Sequence, residues 1–175
     1  MAKLTREEIL VKAAKHGSLD DTDLSGLNLS DIVFKSALMR RACLAGANLS
    51  DARLDWASLT DADLRKANLS GAQVLNTTLM NANLTGANLS HANLKSSDFR
   101  NANLYKANLR AADLSYANLH GANLRGADLL GAQLSGACLT DAVLIGALLG
   151  NAKYDQDTQW PLDFDPEAAG AVLVE

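Results

Sequence analysis

Every fifth residue from Leu19 to Leu149 is apolar, and the frame never slips. These 27 positions hold Leu except at Phe34, Met39, Val74 and Phe99. Two residues before each of them, from Ala37 to Ala147, stands Ala, with Thr77 and Ser97 as the exceptions. A helix needs a period near 3.6 and a strand a period of 2, so neither alone buries this pattern. A fixed period held over most of a chain marks a repeat architecture.

A single unit, such as Ala87-Asn88-Leu89-Ser90-His91, resolves the conflict. Its first three residues read in, out, in, which is a minimal strand, and its last two form a turn. Nine of the 12 glycines occupy the fifth position, where a type II turn needs a positive φ. Asn, Asp and Ser, which also suit turns, fill much of the remainder. Strands joined by near-right-angle corners close after four units, so one coil takes 20 residues and the 27 units make nearly seven coils. Stacked about 4.8 Å apart, they give a rod on the order of 30 Å long. The expected fold is an all-β solenoid of square section, with Leu at the centre of each face and small Ala near each corner. Its expected parts are a capping helix over 1–17, repeats over 18–152 and a C-terminal cap over 153–175.

Composition narrows what such a rod can do. Hydrophobic residues make up 48% of the chain but aromatics only 5%, so the core must be Leu and Ala. The net charge of −4 divides unevenly, with +2 over residues 1–17, −1 over 18–152 and −5 over 153–175. A nearly neutral coil has no basic nucleic-acid footprint. Cys43 and Cys138 fall on different faces nearly five coils apart, beyond disulfide reach, and no CxxC pair suggests zinc. Apolar stretches are too short and interrupted for a signal peptide or membrane span, so the expectation is a cytoplasmic protein with reduced cysteines.

The triplets Ala47-Asn48-Leu49, Ala62-Asp63-Leu64 and Ala122-Asn123-Leu124 resemble the A-(D/N)-L-x-x unit of the pentapeptide-repeat family. The resemblance covers about three quarters of the chain and implies a right-handed quadrilateral β-helix. Thr158-Gln159-Trp160-Pro161 and the stretch from Phe164 through Asp165-Pro166-Glu167-Ala168-Ala169 to Gly170 resemble the tail of cyanobacterial members. The family also implies one specific activity. Some of its members are dimers whose acidic, DNA-like rods bind type II topoisomerases and protect them from quinolones. A coil with a net charge of −1 argues against that activity here.

Residues 20 apart stack on one face. Asn28, Asn48, Asn68, Asn88 and Asn108 form such a column, continued by Asp128, with Ser30, Ser50, Ser70 and Ser90 beside it. Their amides are expected to bond along the axis, and the face lacks the ranked Thr of an ice-binding surface. The Leu24 face presents Arg65, Lys66, Tyr105, Lys106 and Arg125, with Asp23 and Asp63 among them. A solvated surface is the simplest account, and a partner contact the functional one. Trp56 and Tyr116 stand at turn positions three coils apart and are contact candidates because exposed Trp and Tyr are common anchors. Thr77 and Ser97 stack in adjacent coils and are expected to satisfy each other or a carbonyl.

Open strand edges at the ends of a solenoid invite polymerisation unless covered. Thr5-Arg6-Glu7-Glu8 is a capping box, with Leu4 and Ile9 as its staple. A helix over about 6–16 follows, stopped at Gly17, with Ile9, Leu10, Ala13 and Ala14 on its apolar face. Leu27 and Ile32 lie where that face would pack. At the other end Leu130, Val143, Ile145 and Leu148 turn apolar at outward positions, and the tail is expected to fold over them. That tail should include a short helix capped by Asp165 and started by Pro166. Val172-Leu173-Val174 is the alternative meeting point for a second copy, so the expected state is a monomer or a dimer through the C-terminal end.

No constellation of residues suggests catalysis. His16, His91 and His120 each lack a second ligand at metal spacing, and the glycines recur by fives because turns need them. The expectation is a non-enzymatic rigid scaffold without cofactor or metal, binding an unknown protein. A topoisomerase-binding DNA mimic and a structural spacer in a larger assembly are the alternatives.

Overall fold

The computed structural model describes residues 4–14 and 17–174. From Asp23 to Gln159 each outward residue pairs in parallel with a residue of the next coil. Asp23 meets Cys43, Asn28 meets Asn48, Val33 meets Arg53 and Leu38 meets Ser58, and the pattern repeats along the rod. The register is 20 residues, so four units of five close one coil. The four sides are named here for their first central residues, as the Leu19, Leu24, Leu29 and Phe34 faces.

Three sets of backbone hydrogen bonds hold adjacent coils together, one of them from the N–H of each turn residue to the next coil, as from Asp51 to the Ser70 carbonyl at 3.0 Å. The N–H of a central residue donates to the next coil, as from Leu49 to the Asn68 carbonyl at 2.6 Å. The N–H of an outward residue donates to the coil before, as from Asn68 to the Ala47 carbonyl at 2.9 Å. A further bond closes each corner except the one at Thr77, as from the Ala57 N–H to the Leu54 carbonyl at 2.9 Å. Every fifth residue from Asp21 to Asn151 has a positive φ, as the turn requires, whether or not it is glycine. The central side chains from Leu19 to Leu139 are fully buried, and the Ala column fills the corners beside them.

Helix α1 (Arg6–Ala14) covers the first coil. The Glu8 N–H donates to Thr5 Oγ1 at 3.3 Å, and the Thr5 N–H donates to Glu8 Oε2 at 2.8 Å, so the capping box forms. Ile9 is buried, and Leu4, Ala13 and Leu27 pack against the core beside buried Ile32. The apolar face is narrower than its residue types suggest, because Leu10 remains exposed. The side chain of Ala14 and the expected last residues of the helix, including His16, lie outside the described residues. Arg6 makes a contact that no sequence pattern announces. Its Nη1 and Nη2 donate to the Asn28 and Ser30 carbonyls at 2.8 and 2.7 Å, supplying donors that a preceding coil would otherwise provide.

The tail continues the winding rather than merely lying over it. Gln159 takes the strand position above Cys138, one residue later than the 20-residue register predicts. Asp155 absorbs the extra residue. Its Oδ1 accepts the Gly136 N–H at 2.8 Å and the Thr158 hydroxyl at 3.0 Å. After a further turn, β2 (Val172–Leu173) pairs in parallel with β1 (Lys153–Tyr154). Trp160 stands edge-on to Tyr154 at 5.5 Å between ring centroids and stacks on Phe164 at 5.2 Å. The Asp165 cap forms, with the Ala168 N–H on its Oδ1 at 3.0 Å, but a run of turns follows in place of a helix.

The tail does not bury the outward apolar patch. Leu130 becomes half-buried, but Ile145 is 66% exposed, Leu148 52% and Val143 also exposed, with Leu162 of the tail at 92%. The tail's aromatic residues sit above the core of the last coil, and its path leaves the sides of that coil open.

Candidate interaction surface

The surface rests on a rigid lattice. On the Leu29 face, Nδ2 of Asn48, Asn68, Asn88 and Asn108 each donates to Oδ1 of the Asn one coil before, at 3.0–3.1 Å. Each Oδ1 from Asn28 to Asn108 also accepts the backbone N–H two residues on, such as Ser70 onto Asn68 at 3.2 Å. The amides therefore join neighbouring coils and secure the corners together. The ladder stops at Asp128, whose carboxylate has no N–H to offer Asn108 and instead accepts Arg110 Nη1 at 3.1 Å.

Several arginines are held by carboxylates. Arg40 and Arg41 fork onto Asp20 and Asp21 one coil below, and Arg65 and Arg100 fork onto Asp63 and Asp98 two residues before. Hydrogen bonding from each guanidinium holds its carboxyl below the usual range and raises the arginine. Arg65 is thus neutralised locally. On the same face Lys66, Lys106 and Arg125 are exposed, and among the described residues none of them meets a carboxylate. Lys66 and Lys106 occupy one corner two coils apart, about 10 Å along the rod. Lys106 Nζ lies 5.2 Å from the centroid of the half-buried Tyr105 ring. The result is a ridge of three open cations.

The diagonally opposite corner carries Trp56 and Tyr116, which are 66% and 63% exposed. Their φ values are +63° and +60°. Tyr116 rests over Gly136, where an added Cβ would fall 2.5 Å from Tyr116 Cδ1. Thr77 and Ser97 are fully buried and hydrogen-bonded. His91 and His120 are exposed, with His120 Nδ1 2.9 Å from Thr140 Oγ1. Cys43 and Cys138 are half-buried free thiols. Among the described residues no group of His, Cys, Asp and Glu is arranged to hold a metal, and no helix is long and apolar enough to cross a membrane.

A four-sided parallel coil of five-residue units, with small residues at its corners and amide ladders outside, defines a repeat protein of the solenoid class. The profile for pentapeptide repeats matches in eight copies, over residues 18–55, 47–86, 57–95, 78–115 and 102–141. The chain belongs to the pentapeptide repeat family.

Solved relatives include alr5209, a pentapeptide repeat protein from Nostoc PCC 7120. It is 41% identical over 63% of this chain and 86% of its own, with a TM-score of 0.43. HetL, a pentapeptide repeat protein involved in heterocyst differentiation regulation from Nostoc sp. strain PCC 7120, is 27% identical. Its match covers 98% of this chain and 93% of its own, with a TM-score of 0.39. QnrB1, a plasmid-mediated fluoroquinolone resistance protein, is 18% identical over 88% of this chain and 83% of its own, with a TM-score of 0.45. A search of the curated proteins returns no match.

Proposed function

We propose that this protein is a non-enzymatic scaffold whose right-handed rod, capped by its N-terminal helix and its tail, binds an acidic protein surface. The observation that carries this reading is the ridge of Lys66, Lys106 and Arg125. Three cations of one sign stand on a lattice that is already ordered, so a partner would bind with little loss of backbone freedom. Tyr105 adds an aromatic surface beside them, and Arg65 is tied to Asp63. Free, half-buried thiols fit a reducing, cytoplasmic setting. Any second copy would meet the first at the C-terminal end, where Leu162 and Ile145 are open.

The test is affinity capture from the native cell with the full chain and with a Lys66→Glu, Lys106→Glu, Arg125→Glu variant. A specific partner captured by the parent, released by salt and lost in the variant supports the reading. A partner retained by the variant places the contact elsewhere. A rod that stays incorporated in an assembly whatever its ridge carries is a spacer. Against the topoisomerase reading, Asp20, Asp21, Asp55, Asp63, Asp98, Asp113 and Asp128 are each paired with a cation, which removes much of the free negative charge a DNA mimic would need.

A further inference from the structure

Trp56 and Tyr116 stand at the same corner three coils apart, about 14 Å along the rod. Both hold a left-handed backbone, which a bulky side chain adopts only at an energetic cost. Both remain mostly exposed, although Tyr116 rests over Gly136, and the other corners of the rod share the same backbone. Between them the corner carries only Asn76 and Ser96. Two exposed aromatics on one corner, in a chain with so few of them, point to a ligand.

The groove beside Trp56 indicates which kind. It is a shallow depression of about 360 Å³, open to solvent, and is lined by Arg53, Trp56, Gln73, Leu75, Asn76 and Asn93. The Lys35–Asp55 ion pair, at 3.2 Å, also lines it. Asn93 Nδ2 donates to Gln73 Oε1 at 3.2 Å, which leaves the Gln73 amide nitrogen available. The side chains of Arg53 and Asn76 have no hydrogen-bond partner among the described residues. An apolar side chain would leave these groups unsatisfied. A phosphate would find a single uncompensated cation, Arg53. A sugar ring offers both a C–H face for the indole and hydroxyls for the amides and guanidinium. The coil spacing is close to the rise of one unit in an extended β-linked glycan, so such a chain lying along the rod would advance about one sugar per coil.

We propose that this corner binds an extended β-linked glycan. One pyranose stacks on Trp56 with its hydroxyls on Arg53, Gln73 and Asn76, and a ring about three units on meets Tyr116. The site lies diagonally across the rod from the cationic ridge and is independent of it.

Calorimetric titration of the full chain with cellohexaose, chitohexaose, cellobiose and maltohexaose tests the proposal. Cellohexaose or chitohexaose should bind, with cellobiose and the curved maltohexaose weaker by about tenfold or more, the size of one aromatic stacking contact. Trp56→Ala should abolish binding, and Tyr116→Ala should bring the hexasaccharide to the disaccharide's affinity. Thermal melts of both variants should match the parent, which separates loss of the site from loss of the fold. No heat with either β-linked hexasaccharide at millimolar concentration overturns the proposal, as does binding that survives Trp56→Ala. A protein captured through Trp56 while no oligosaccharide binds would overturn it in favour of a protein contact.

Discussion

Ser97 Oγ accepts the Thr77 backbone N–H at 3.1 Å and donates to the Val74 carbonyl. Elsewhere that N–H meets its carbonyl directly, as Ala57 meets Leu54, so the hydroxyl is inserted into a corner bond of the coil below. Ser97→Ala alone should leave a gap between buried polar groups and cost about 1–3 kcal/mol. Thr77→Ala combined with Ser97→Ala recreates the ordinary corner and should cost less than the single change. Denaturant melts of the two variants and the parent check this ordering.

Breaking the core should be far worse. Leu89 lies fully buried between Leu69 and Leu109. Leu89→Ala should cost about 2–5 kcal/mol, and Leu89→Asp should prevent cooperative folding. Circular dichroism melts provide the comparison, and a parent-like melt for Leu89→Asp would refute the inward assignment.

The amide ladder makes a prediction with a sign in pH. Asn68→Asp keeps the acceptor for the Ser70 N–H but loses the donor to Asn48 Oδ1. Two acceptors then face each other, and the variant should be less stable than the parent at neutral pH by about 1–3 kcal/mol. Protonation supplies a donor, so part of that deficit should disappear below about pH 4. Melting temperatures of both proteins across that range decide the point.

The ladder was legible from 20-residue stacking alone, as were the Leu column and the capping box, because each rests on spacing along the chain. Arg6 was not, since its partners are carbonyls, which every residue has. Nor was the relay through Ser97, because a buried hydroxyl can bond its neighbour or the backbone with equal ease. The tail misled for another reason. Its one-residue offset at Gln159 breaks the period that carried the rest of the reading. For the surface, residue types identified Trp56 and the basic column, but geometry was needed to separate Arg65 from Lys66.

Asp20, Asp21, Asp63 and Asp98 have carboxyls held below their ordinary range by arginines. Their stabilising effect is therefore fully present above the unfolded value of about 3.9 and lost as pH falls through the lower folded values. Thermal stability should be flat in these groups near neutrality and fall below about pH 4. Arg65→Gln with Arg100→Gln should flatten that acid limb slightly, solvent screening keeping each pair small.

Arg6→Ala should loosen the first coil without disturbing the middle of the rod. The Asn28 and Ser30 carbonyls lose their donors, so amide exchange should quicken in the first coil while the coil around Leu89 keeps its protection. Arg6→Lys should rescue only partly, because an ammonium cannot span two carbonyls as the guanidinium does.

The interior of this rod counts in fives and its exterior in twenties. Deleting one five-residue unit between Trp56 and Tyr116 would leave the Leu and Ala columns in phase, yet carry Tyr116 a quarter turn away from Trp56. Deleting four units would shorten the distance between them and keep them on one corner. Such a molecule can gain or lose length without unfolding while the rotational phase of its surface changes. Function on its corners is therefore vulnerable to insertions and deletions that stability would scarcely register.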